Sequence, residues 1–143
     1  MHGISQITKQ RTMDNIGLIV ITAVAVMFVT PYLYMKVSAA RAVGKSVPIG
    51  TLKVAAGSNL NDPYYLYFMS QNCSSCKKMT PVIDQLNLVD PGIVIIDISQ
   101  SPEQAHNFHV YGTPTLMVIK QGRINKVKLG NLKERKIKQF LDR

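Results

Sequence analysis

Only two cysteines occur in the 143 residues, and both fall in one short motif, Cys73-Ser-Ser-Cys76. A framework of several disulfides is thereby excluded. A bridge between the two would close so short a loop that it restrains the unfolded chain only weakly, which argues for a chemical use of the pair. Acidic side chains are scarce too: eight Asp and Glu stand against 17 Lys and Arg, a formal charge of +9. That excess raises the question of nucleic acid, but it is dispersed. Lys36, Arg41, Lys45 and Lys53 form one group and residues 123–143 carry another. No aromatic platform interleaves with the second group, so a solvated basic face is expected there and no nucleic-acid partner. Internal repeats and low-complexity tracts are also missing.

What the chain does have is one long run without charge, residues 16–35, between a polar N-terminal segment (1–15) and a basic one. As a helix, 20 residues extend about 30 Å, the thickness of a bilayer core. Tyr32 and Tyr34 fit an interfacial belt near its far end. A cleavable leader is the rival, with small residues at Ser38-Ala39 and Ala40-Arg41-Ala42, but the run is long for one and Lys36 intervenes. An uncleaved transmembrane anchor over 16–35 is therefore expected. The flanking bases, Lys9 and Arg11 before and Lys36, Arg41 and Lys45 after, slightly favour a cytoplasmic C-terminal side. The anionic-lipid attraction of such a juxtamembrane group is a further expectation. Residues 36–62, with Gly44, Pro48, Gly50, Gly57, Ser58 and Asn59, read as a linker, with a short strand around 52–54.

From residue 63 the pattern is regular. Tyr64-Tyr-Leu-Tyr-Phe-Met69 reads as a strand. Met79, Val82, Ile83 and Leu86 recur at helical spacing after Cys73, with Pro81 kinking the helix. Ile93-Val-Ile-Ile-Asp-Ile98 is a β-branched run of the kind buried on both faces. Ser101 and Pro102 are expected as N-cap and first residue of a helix. Thr115–Lys120 and Arg123–Leu129 form a hairpin about Gln121-Gly122, and Leu132, Ile137, Phe140 and Leu141 give a last helix its apolar face. The order β-α-β-α-β-β-α predicts an α/β domain over 63–143, a mixed sheet covered by helices.

Cys73 lies where the first strand gives way to a helix. A helix N-terminus has free N–H groups and partial positive charge, so Cys73 is expected to ionise below the usual thiol value of about 8.5. Lys77 and Lys78 add to this if they lie close. The two-residue spacing lets Cys76 reach Cys73 within one turn: Cys73 attacks a disulfide and Cys76 resolves the mixed disulfide. A zinc site is the alternative chemistry, with His106 and His109 as a second pair, but the gap between the pairs is too long for a zinc finger. No metal and no cofactor are expected, and the two histidines are expected on a helix surface.

With Cys73-Ser-Ser-Cys76 followed at this distance by Tyr111-Gly-Thr-Pro-Thr-Leu-Met-Val-Ile119, the chain resembles the thioredoxin family over residues 64–142. The resemblance implies the thioredoxin-like fold, a cis peptide bond at Pro114 beside the sulfurs, and a substrate edge at the Thr113 backbone. It also implies protein thiols and disulfides as substrates. The family's Trp before the first cysteine is Asn72 here, its buried acid six residues before is Tyr67, and its Gly-Pro pair is Ser74-Ser75. The first strand and helix of a full thioredoxin are expected to be shortened or missing.

Anchor, dithiol and Gly-Thr-Pro together point to a thiol–disulfide oxidoreductase of the bacterial inner membrane, single-pass, with a membrane redox partner. Disulfide chemistry persists outside the cytosol, so a periplasmic domain is expected against the charge count. A structural or binding subunit of a secretion or conjugation assembly is the alternative.

Overall fold

The computed structural model describes residues 2–47, 63–89 and 92–141, with side chains described from residue 16 onward. It divides into two compact units, one ending at Met35 and the other beginning at Lys36.

The first unit is helix α1 (His2–Ala42) up to Met35. Every residue from 16 to 34 is exposed, including Ile19, Phe28 and Leu33. Residues 16–42 are long and apolar enough to cross a membrane, by length and composition. Thr22 meets its own needs inside the helix, its hydroxyl lying 3.0 Å from the Leu18 carbonyl and 2.9 Å from that of Ile19. Such back-bonding keeps a hydroxyl satisfied where water is absent.

Among the described residues of the second unit, four strands form one sheet in the order β2-β1-β3-β4: β1 (Tyr64–Met69), β2 (Ile93–Asp97), β3 (Thr115–Lys120) and β4 (Arg123–Leu129). Strand β1 runs parallel to β2 and antiparallel to β3, and β3 is antiparallel to β4. The crossover between β1 and β2 is α2 (Ser74–Val89); α3 (Pro102–Asn107) and α4 (Glu134–Leu141) complete the expected order.

Period-two alternation sorts the core into two faces. Tyr65, Tyr67, Leu116 and Val118 meet Met79 and Ile83 of α2 and Ile137 and Leu141 of α4. Tyr64, Leu66, Phe68, Met117 and Ile119 face the other way, onto Phe108, Val110 and Ala42. The Tyr65 hydroxyl donates to the Leu141 carbonyl at 3.1 Å, tying the end of α4 to the sheet. Asn87 staples the end of α2 to β2, accepting from the N–H groups of Gly92 and Ile93 and donating to the Ile93 carbonyl, each at 3.0 Å.

Ser101 and Pro102 take the N-cap and first helical positions of α3 as expected, without a side-chain capping bond. Two expectations change. The β-branched run of β2 is not buried on both faces: Ile95 is 39% exposed and, among the described residues, β2 stands at the edge of the sheet, while the well-covered strands are β1 and β3. The segment after the apolar run is not plain linker where it is described. Helix α1 continues through Ala42, which is fully buried, and residues 44–47 then pair with β4. The Gly44 N–H donates to the Ile124 carbonyl (2.7 Å), the Ile124 N–H to Lys45 (3.0 Å) and the Val47 N–H to Gly122 (3.0 Å). Six residues of α3 are too short to cover a four-stranded face, and Ala42 with Val47 fills what α3 leaves. The strand expected around 52–54 lies outside the described residues.

Candidate active site

The sheet topology brings the two sequence motifs together. Because β1 and β3 are antiparallel neighbours, the end of β1 meets the start of β3, with Phe68 opposite Thr115. Cys73 follows the first and Thr113-Pro114 precedes the second. The Cys73 sulfur lies 3.5 Å from the Thr113 carbonyl oxygen although 40 residues separate them. The Thr113–Pro114 peptide bond is cis, as the resemblance implied. Two bonds hold this loop: the Thr115 hydroxyl donates to the Gly112 carbonyl (2.7 Å), and the Gly130 N–H to the Pro114 carbonyl (2.8 Å).

Cys73 and Cys76 are joined by a disulfide. The two sulfurs differ in access: Cys73 is half-buried and Cys76 is fully buried. Cys73 immediately precedes α2, and its carbonyl accepts the first helical bond from the Lys77 N–H at 3.1 Å. The Cys76 N–H points at the Cys73 sulfur, 3.1 Å away. That N–H and the helix N-terminus are where a thiolate on Cys73 gains stabilisation once the bridge is reduced. In the bridged form the sulfur has no proton, so its approach to Thr113 is a contact; a Cys73 thiol would find an acceptor there. Lys77 and Lys78 are exposed.

Two groups beside the motif have partners that the sequence reading did not give. The first is a clamp on the loop between β1 and α2. The Gln71 amide donates to Asp97 at the end of β2 (2.9 Å), and Asp97 also accepts from the Ser99 hydroxyl and from the Ser99 N–H at 2.9 Å. The Ser99 hydroxyl chiefly, then its N–H and Gln71, hold the Asp97 carboxyl below the usual carboxylate range. The second is Tyr67, fully buried, its hydroxyl 3.0 Å from that of Thr80, one helical turn beyond Cys76. Burial pushes the Tyr67 phenol above its usual 10; the Thr80 bond opposes this and Asp84 adds to it. The sequence carried a hint of the first, a lone acid closing an apolar strand, and of the second, a tyrosine at an alternating core position.

The zinc alternative finds no matching geometry: among the described residues no three or more His, Cys, Asp and Glu are grouped to hold a metal. His109 is not on a helix surface. It lies beyond the end of α3 at φ 54°, where its N–H donates to His106 and that of Val110 to Ala105. These are the paired bonds of a Schellman helix terminus, with a histidine at the position glycine usually takes.

Comparison with known proteins agrees with this geometry. Solved structures of thioredoxin from Fasciola hepatica and of a single-substitution mutant thioredoxin from Halobacterium salinarum superpose with TM-scores of 0.52 and 0.53, each at 24% identity. They cover 56% and 57% of this chain and 78% and 74% of their own, a likeness of fold. Thioredoxin from Mycobacterium tuberculosis is 32% identical over 66 residues, 44% of this chain, and the chain spans 57% of that protein's length. Thioredoxin from Pseudomonas aeruginosa is 28% identical over 83 residues, covering 56% of this chain and 77% of its own. The family model for thioredoxin matches residues 55–143. Sheet order, the dithiol at the start of α2 and that match lead to one assignment: the chain belongs to the thioredoxin family.

Proposed function

We propose that the chain is a membrane-anchored thiol–disulfide oxidoreductase acting on protein thiols and disulfides in the cell envelope. The observation that carries the reading is the unequal exposure of the two bonded sulfurs, half-buried Cys73 beside the Thr113 carbonyl and buried Cys76 behind it. In the reducing direction, the Cys73 thiolate attacks one sulfur of a substrate disulfide and the other substrate sulfur leaves as a thiolate. Cys76, deprotonated, then attacks the Cys73 sulfur. The substrate departs as a dithiol, and the Cys73–Cys76 bridge takes the two oxidising equivalents. Run backwards, the same steps oxidise a substrate dithiol. The backbone at Thr113, with Pro114 shaping the loop, serves as the edge on which an extended substrate segment pairs.

Residues 16–35 act as the uncleaved anchor in a bacterial inner membrane, with the 63–143 domain on the periplasmic side and a membrane redox partner resetting the dithiol. The uncovered apolar surface of α1 supports the anchor, and the persistence of disulfides outside the cytosol supports the side. In the test, Cys73→Ser removes disulfide exchange with a protein substrate altogether, while Cys76→Ser accumulates a mixed disulfide that dithiothreitol releases. Unchanged exchange in Cys73→Ser would overturn the reading, and Cys73→Ser/Cys76→Ser retaining stable membrane partners would favour the structural-subunit alternative.

A further inference from the structure

The fold gathers basic residues that the sequence keeps about 80 positions apart. Lys36, Arg41 and Lys45 leave the apolar run; Lys120, Arg123 and Lys126 belong to the β3–β4 hairpin. Both groups lie in the second unit. Backbone pairing of residues 44–47 with 122–124 sets the segment against the hairpin, and an Arg123 guanidinium nitrogen donates to the Gly44 carbonyl at 3.1 Å. Gln121 and Gly122, at φ 51° and 69°, form the tight two-residue turn that brings Lys120 and Arg123 opposite one another. Between the paired pieces lies an open cleft of about 500 Å³, lined among others by Val43, Gly44, Lys120 and Arg123. Residues 36–47 and 120–126 contain no Asp or Glu, so all six charges there are positive. Val43 adds an exposed apolar side chain at 48%.

We infer that this ledge binds the headgroups of anionic phospholipids in the membrane that α1 enters. The inference rests on the reading of residues 16–35 as an anchor. Charge complementarity and continuity commit the surface to this occupant: the ledge begins one residue after the apolar run, and basic side chains beside a span are attracted to an anionic lipid surface. The apolar Val43 suits the interface, as an acidic protein segment would not require. A second basic region, Lys133, Arg135, Lys136 and Lys138 on and before α4, has Glu134 among it, 2.6 Å from Lys138, and no apolar run beside it.

The experiment uses the full chain in nanodiscs of phosphatidylcholine alone or with phosphatidylglycerol, the latter carrying a photoreactive headgroup, and maps adducts by mass spectrometry. Adducts are expected on 43–47 and 120–126 in excess over 133–138, falling with added salt. Lys45→Gln and Lys120→Gln, both at exposed side chains, should each lower ledge adducts by about fivefold, the effect of losing one basic residue near such a surface. The salt dependence of the unaltered chain reads the same interaction without any variant. Adducts spread evenly over both basic regions, or insensitive to salt, overturn the ledge while leaving the anchor standing. Extraction of the chain by alkaline carbonate from membranes overturns the anchor and the ledge with it.

Discussion

The two faces of the sheet are built differently and have different work. One is covered by two helices of its own, α2 and α4, and holds the chemistry: Cys76 is buried on α2, with Met79 one turn along, and Tyr67 reaches Thr80 beneath it. Among the described residues the other has only the six of α3, and its core takes in Ala42 at the end of α1 and Val47 just after it. The first face therefore lies against the redox pair, and the second is completed by residues that follow the apolar run. A small domain gains from this division, because one short helix alone buries too little apolar surface to secure a sheet face.

The sharpest way to break the comparison is to open a cavity on each face. Met79→Ala and Phe108→Ala are both expected to destabilise the domain, by about 2–5 and 3–5 kcal/mol respectively, since both side chains are almost wholly buried. Phe108 also loses its tilted ring contact with Phe68, 5.5 Å between centroids. The faces differ in what else moves. Met79→Ala, three residues from Cys76, should shift the reduction potential of the pair, and Phe108→Ala should leave it unchanged. Equal shifts in the two variants, read by equilibration against glutathione in conditions where both remain folded, would show that the faces are not separable.

A smaller effect sharpens the chemical side. Tyr67→Phe keeps the ring and removes the hydroxyl bonded to Thr80, at a cost of about 1 kcal/mol in urea unfolding. Its pH signature follows from the raised phenol. Below 10 the group is neutral in both folded and unfolded chains and contributes no slope. As pH rises past 10 the unfolded phenol ionises first, so stability is lost there, and Tyr67→Phe should remove that part of the alkaline loss. An unaltered alkaline slope in the variant would mean that Tyr67 does not titrate as its burial requires.

Much of this organisation is legible in the sequence. Apolar runs, helical spacing and turn chemistry place the four described strands and the three helices of the domain, because 64–69, 93–97 and 115–120 are near-continuous apolar runs and Gln121-Gly122 marks the hairpin. The cysteine motif and Thr113-Pro114 stand out for the same local reason. What stays hidden depends on neighbours that lie far along the chain. Ile95 looks as buried as Ile96 in the run, yet it is 39% exposed where Ile96 is buried. Ala42 looks like one more small helical residue, yet it is fully buried by strands more than twenty residues away. Gln71 and Asp97, 26 residues apart, become partners only when β1 and β2 align in parallel. His109 reads as a ligand or a surface residue until the end of α3 sets its backbone at positive φ.

That histidine supplies the gentlest test, on the borrowed face. At φ 54° a histidine sits in the left-handed region, which glycine and asparagine tolerate better. Its imidazole is also held below its usual 6.5, chiefly by desolvation and then by Lys45 and His106. Lys45 belongs to the segment that pairs with β4, so protonating His109 places a second positive charge near the junction. The unfolded chain takes up that proton first. Stability is complete above 6.5 and declines as pH falls below it, because there the unfolded state binds more protons than the folded one. His109→Asn keeps a residue suited to the left-handed turn but cannot be protonated. It should match or exceed the parent by no more than about 1 kcal/mol at neutral pH, and lose less stability between pH 6.5 and 5. If the variant declines with acid as steeply as the parent, the junction owes its acid sensitivity to groups other than His109.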